Sequence, residues 1–276
     1  MLSTLSTAAP ATPIERSHVR ARPAGFVADV LAIAGRALRA VPRDLESVMP
    51  PVFISLFFFL VNVGTLQHLT ERNIPNFDFT AFMMPTAILL GVTGVSRAPA
   101  LVIDVQNGYF DRLLLTPVRR LAILLGHLAA DVTVAAALTV PITLVGFALG
   151  VRFQSGPIGI VVFVLVAALW SLAFSGFGYA IALKTGNPGA VNSTFLLFFP
   201  FLFLTTSYVP KGQLSGWLRA VAAWNPVTYL LEGLRSLVST GWSAGDLGAA
   251  LLAVAIVGTI SMTMCFAALR GRIRRG

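Results

Sequence analysis

Cysteine occurs once in this 276-residue chain, at Cys265, which excludes an internal disulfide and a thiolate metal cluster. Lysine occurs twice, at Lys184 and Lys211, and neither follows a glycine. The phosphate-cradling pattern GxxxxGK[ST] is therefore missing, and nucleotide binding by that route is excluded. The three histidines, His18, His68 and His127, are scattered, without the HExxH spacing of a zinc hydrolase. Ser175, in FSGFG, lacks the glycine pattern of a nucleophile elbow. Catalytic residues, a cofactor site and a metal site are accordingly not expected. Charge is scarce too: 11% of residues are charged, too few to clothe the surface of a soluble domain.

Apolar residues fill the space. They make up 56% of the chain, including 20 phenylalanines, and the mean hydropathy is +0.82. Runs such as FISLFFFLVNV (53–63) and FLLFFPFLFL (195–204) would aggregate in water but match a hydrocarbon solvent. The fold class expected is an all-α polytopic membrane protein. Spanning the bilayer takes about 20 apolar residues. Six segments qualify: 48–66, 79–102, 121–149, 157–183, 190–207 and 247–269. The domain boundaries follow: a disordered cytoplasmic tail at 1–24, rich in Ser, Thr, Ala and Pro and unlike a signal peptide, a membrane domain at 25–269, and a basic tail at 270–276.

The net charge of +9 is almost all arginine, and its placement is topological rather than a mark of nucleic-acid binding. With both termini on one side, fifteen of the twenty Lys and Arg fall on that side, which is then cytoplasmic. Residues 25–44 have helical periodicity: Val27, Val30, Leu31, Ala34, Leu38 and Val41 share a face, with Asp29, Arg36, Arg39 and Arg43 opposite. This is the pattern of a helix lying along the membrane with its arginines toward lipid headgroups. On the other side, residues 209–245 hold two short amphipathic pieces, 214–223 and 227–238, broken at Asn225-Pro226 and carrying Trp217, Trp224, Tyr229 and Trp242. They predict a partly re-entrant helical hairpin, or an interfacial loop.

Charges in or near the spans need partners. His127 and Asp131, four apart on one helical face, are expected to pair, as a latch or as a mutually satisfied couple. Glu232 and Arg235 are expected to pair on the surface of the outer hairpin. The spacing Gly146/Gly150 and the pair Gly176, Gly178 give weak grounds for a dimer face.

Between the second and third spans runs DVQNGYFDRLLLTPVRRLAILLGHLAAD, residues 104–131. Asn107-Gly108 ends one helix, 110–115 suits a short helix, and Thr116-Pro117 breaks it before the chain re-enters the bilayer at Leu121. Read from composition alone, this is either a docking helix or a solvated loop. The pattern DVQxGxxDRxxxxPxxRxxxLxGHxxAD resembles the corresponding loop of ABC-2 type exporter permeases of the daunorubicin-resistance type. The likeness extends to the N-terminal interfacial helix, Pro85, Pro188, the Asn225-Pro226-Val227-Thr228 segment and Leu234-Arg235.

The resemblance implies a dimer of six-span subunits, from two copies or a copy and a paralogue, with separate ABC ATPase subunits that bind MgATP docked beneath. It implies that residues 107–120 form a coupling helix, with Asn107, Asp111, Arg112, Pro117, Arg119 and Arg120 contacting the ATPase. Arg36, Arg39 and Arg43 would belong to the flanking interfacial helix, and Trp224, Asn225 and Pro226 to an outer gate. Phe53, Phe57, Phe195, Phe198 and Phe199 are candidates for a path suited to a lipophilic or amphipathic cargo such as a drug, lipid or glycolipid, and equally for a lipid-facing surface or the core. Asp104 departs from the Arg-Glu pair that many such permeases carry here. The expected place is the bacterial cytoplasmic membrane. An ion-coupled secondary transporter and an intramembrane enzyme remain as alternatives.

Overall fold

The computed structural model describes residues 25–108 and 120–273, and this described portion is built of α-helices and turns with no strand. Helix α1 (Phe26–Ala40) buries Ile33, Ala34 and Ala37 against α5 (Arg120–Ala148). The approach is close because position 126 is glycine: a Cβ there would lie 2.6 Å from Ile33 Cγ2. The expected apolar face is therefore split, with Val27 and Leu31 exposed and the next turn packed against protein. Helix α2 (Leu45–Asn73) packs on α3 (Phe79–Thr93) along one side. Its other side presents Phe53, Phe57, Leu60 and Val61 outward, as an apolar helix face can in lipid but not in water.

Helix α3 is the central pillar, with every residue from Phe79 to Thr93 buried. Asp78 starts it by accepting the Ala81 N–H at 2.8 Å. The sequence predicts one continuous second span through 102. The structure breaks it: α3 ends at Thr93, residues 94–97 are non-helical, and α4 (Ala98–Gln106) begins anew. Pro85 does not cause the break, since α3 continues through it. The break falls where Gly94 is followed by Pro99, the latter in the first turn of α4, where a proline lacks no needed donor. Gly94 also sits in a crowded place, because a Cβ would lie 3.1 Å from Pro51 and 3.3 Å from Phe195.

Helix α6 (Gly156–Thr185) ends at Gly186, whose φ of 61° is the left-handed C-terminal conformation glycine adopts freely. Along it lies α10 (Ala244–Ile273), with Ser261 Oγ donating to the Ala173 carbonyl. Small residues set this contact: a Cβ on Gly176 would meet Ser261 Oγ at 2.5 Å. Gly146 likewise faces Met84, so it serves packing inside the subunit, and Gly150 follows the helix end with φ 96°. Helix α10 runs to Ile273, through Arg270 and Arg272, so helix replaces the expected tail as far as that residue.

The fifth expected span is shorter than the sequence suggests. Helix α7 (Pro188–Phe203) has 16 residues, about 24 Å at the helical rise, against a hydrocarbon core of about 30 Å. Among the described residues, five helical segments have the length and apolarity to cross: Val48–Asn73, Phe79–Gln106, Leu121–Ala148, Gly156–Thr185 and Ala244–Arg272. After α7 the chain bends through 204–209 and forms α8 (Gly216–Trp224) and α9 (Pro226–Arg235), the two short helices of the expected hairpin. A π-helical turn (Ser236–Thr240) leads from α9 toward α10.

Candidate functional site: a hinged helix and two polar anchors

Two backbone amides at the break in the second span are met by polar side chains. Arg97 N–H donates to Asp131 Oδ1 at 2.7 Å, and Ala98 N–H to Ser96 Oγ at 3.1 Å. These acceptors take up amide protons that a continuous helix would have bonded internally, as apolar surroundings require. Arg97, 4% exposed, reaches Asp44 at the start of α2, Nη1 to Oδ2 2.9 Å. Asp131 is fully buried, and Tyr179 and Ser175 from α6 face it. Helices α2, α4, α5 and α6 thus meet at the hinge.

Seven residues beyond Arg97, α4 has a second anchor. Asp104 pairs with Arg36 of α1 and lies 3.8 Å from Nε2 of His127 on α5. The expected His127–Asp131 pair does not form. The imidazole Nδ1 is 2.9 Å from the carbonyl of Ile123, the ring's other nitrogen points at Asp104, and Asp131 turns to the hinge. Four residues of separation put both side chains on one face, but that face is shared by two different neighbours. Arg36 is likewise drawn away from headgroups by Asp104, whereas Arg39 and Arg43 remain exposed. The tip of α4 is Asn107, whose N–H bonds Ile103 O at 2.9 Å. Asp111, Arg112, Pro117 and Arg119 lie outside the described residues, and Arg120 opens α5.

A cavity of about 470 Å³ opens beside the hinge. Phe174 and Phe195 give it apolar wall, Thr93, Ser96, Ser175 and Asn192 give it hydroxyls and an amide, and Asp44 and Glu46 stand at its rim. Of the aromatic path candidates, Phe195 lines this cavity and contacts Phe199 edge-on at 5.3 Å. Phe53 and Phe57 stack on the exposed face of α2, and Phe198 belongs to the core with Trp170 and Phe174. Trp170 Nε1 bonds Thr93 Oγ1 at 2.9 Å, tying α6 to the last turn of α3.

At the other end of the bundle, Asn225 joins two helix ends. Its Oδ1 accepts the Val227 N–H at 3.0 Å, capping α9, and its Nδ2 donates to the carbonyls of Phe201 at 2.6 Å and Leu204 at 3.0 Å. Pro226 follows in the first turn of α9, and Trp224 stands 91% exposed. Glu232 and Arg235 do approach, at 3.3 Å, but not on a surface: Arg235 is 6% exposed. Burial pulls its guanidinium down to about 10 against the opposing pull of Glu232, which leaves it charged at neutral pH. Arg97 is the site residue the sequence reading missed, and Arg235, expected in a surface pair, is buried instead; the signal available for Arg97 was an arginine beside a helix-breaking stretch.

The ABC-2 type transporter family matches residues 29–238 of this chain. A daunorubicin resistance ABC transporter permease protein of Streptomyces coeruleorubidus is 27% identical over 223 residues, covering 78% of this chain and 75% of the relative. A probable doxorubicin resistance ABC transporter permease protein of Mycobacterium tuberculosis is 25% identical over 219 residues, 78% of this chain and 79% of the relative. A putative transport permease of Cyanophora paradoxa is 26% identical over 171 residues, 61% of this chain and 58% of the relative. The family match takes in most of α1, the hinged second span and the α8–α9 hairpin, and the chain belongs to the ABC-2 type transporter family.

Proposed function

We propose that this chain is the permease subunit of an ATP-driven exporter in a bacterial cytoplasmic membrane, with both termini in the cytoplasm. The observation that carries the mechanism is α4: a nine-residue helix hinged at 94–97, anchored through Arg97 and Asp104, and leading directly into residues 107–120. A helix jointed at one end and continuous with a docking segment at the other transmits a push from a partner. ABC ATPase subunits closing on MgATP would supply that push through Asn107, Asp111, Arg112, Pro117, Arg119 and Arg120. Arg36 on α1 would share the load through Asp104. A second permease copy or a paralogue completes the path, and the two subunits alternate between inward-open and outward-open states.

The proposed cargo is lipophilic or amphipathic: a drug, a lipid or a glycolipid. The mixed lining of the cavity beside the hinge supports this, with aromatic wall and a few hydroxyls, as do relatives whose names refer to daunorubicin and doxorubicin resistance. The cavity faces the end of α2 that carries Asp44 and Glu46, the side assigned here to the cytoplasm. Purification in mild detergent from the native host, with mass spectrometry and an ATPase assay, tests the reading. A stoichiometric ATPase partner that is lost when Asp111 and Arg112 are substituted is the expected result. Recovery of the chain alone, with no ATPase activity, would count against it.

A further inference from the structure

A buried arginine in a membrane protein is costly unless its donors are fully used, and it marks either a structural clasp or a moving part. Arg235 uses all of them. Its Nε donates to the Phe82 carbonyl at 3.1 Å, Nη1 to Thr206 Oγ1 at 3.0 Å and to Glu232 at 3.3 Å, and Nη2 to Thr86 Oγ1 at 3.2 Å and the Ser207 carbonyl at 3.2 Å. The guanidinium also lies 3.6 Å from the centre of the Phe82 ring. Thr206 relays the charge, since its hydroxyl donates to Glu232 at 2.8 Å while accepting from Arg235.

These acceptors come from three places: α3, α9 and the bend after α7. The bend is what requires them. Thr205, Thr206 and Ser207 are all buried although non-helical, so their backbone groups lack the bonds a longer α7 would have given. Arg235 and Asn225 replace those bonds from outside the element, at Ser207, Phe201 and Leu204. The segment is held by side chains of neighbouring elements, Arg235 and Asn225 together with Thr86, whose hydroxyl also donates to the Ser207 carbonyl at 3.2 Å. A segment held in this way has engaged and released arrangements where a continuous helix has one.

We infer that Arg235 is the positioning residue of the outer gate: its guanidinium holds the unwound end of α7 against α3 and α9, and the outer end of the path opens when this bend leaves Arg235. The inference rests on the exporter reading for its consequence, but not for its geometry. Thr205→Cys, at a position 3% exposed, in a Cys265→Ser background reads the geometry through labelling by a membrane-impermeant maleimide. With Arg235 present, labelling is slow in the resting complex and rises when ATP and vanadate trap the ATPase.

Arg235→Lys keeps the charge and loses the fork, and Thr206→Val removes the relay while leaving Arg235 intact. Each is expected to speed resting labelling about tenfold, the worth of one charge-assisted hydrogen bond, and to abolish the contrast on trapping. Export falls by about the same factor while ATPase turnover stays within about twofold, a split that simple misfolding does not produce. Unchanged labelling in both variants overturns the inference. So does a parallel loss of labelling contrast, ATPase activity and thermal stability, which would make Arg235 a structural clasp only. If the parent protein shows no ATP-dependent export, the exporter reading fails, and resting labelling of the isolated chain still decides whether Arg235 positions the bend.

Discussion

Asp131 shows how much one side chain can settle. Its Oδ1 takes the Arg97 amide proton at the hinge, in a fully buried place. Asp131→Ala should therefore strand that N–H and lower stability by about 1–3 kcal/mol. Asp131→Asn keeps an acceptor oxygen in position and should lose clearly less. Thermal unfolding of the detergent-purified protein ranks the two, and equal losses would mean that the carboxylate charge, not the accepted bond, matters. Arg36 and Asp104 are different in kind, because both side chains keep solvent contact. A double-mutant cycle on them should return a coupling below about 1 kcal/mol. At this scale the sequence named the charged residues but paired them by helical spacing, and spacing fixes only which face a side chain occupies.

Among the elements, α1 and α4 would transmit the push in the proposed mechanism, and α1 depends on a close approach to α5. Gly126→Val would drive a branched side chain into Ile33, already 2.6 Å from where a Cβ would sit, so α1 should lift from α5. Limited proteolysis should then cut α1 several times faster while the other spans stay protected. If cleavage is unchanged, the α1–α5 contact does not hold the interfacial helix. The hairpin, by contrast, was legible from sequence: Asn225-Pro226 separates two amphipathic pieces, and α8 and α9 flank that break. The hinge was less so. A 24-residue apolar run from 79 to 102 satisfies the length rule whether or not it is interrupted, and only the acceptors on Asp131 and Ser96 make interruption tolerable.

For the whole molecule, the short α7 raises a question of parity. Five long spans alone would leave the termini on opposite sides; counting α7 with the buried bend after it as a sixth crossing returns them to the same side. Reporter fusions at both ends should report the cytoplasm for each. An outward C-terminus would show that α7 turns back before crossing, and the assignment of the hairpin to the outer side would fall with it. The path candidates sort at this scale too, since Phe198 is taken into the core and Phe53 and Phe57 face outward.

Composition and periodicity by themselves determined that the chain is a helical membrane protein, which apolar stretches form its helices, and that Asn225-Pro226 breaks the hairpin. They did not determine the break at 94–97, the run of α2 to Asn73 or the early end of α7. What they determined is local, set by the cost of placing each residue in hydrocarbon and by the 3.6-residue turn. Tertiary structure alone decided which charge meets which. Arg36 finds Asp104 across 68 residues, Arg97 finds Asp44 across 53, and Arg235 finds Phe82 across 153. Partners so distant are chosen by which helices pack side by side, and in an apolar interior every donor must be met by whatever acceptor that packing brings near.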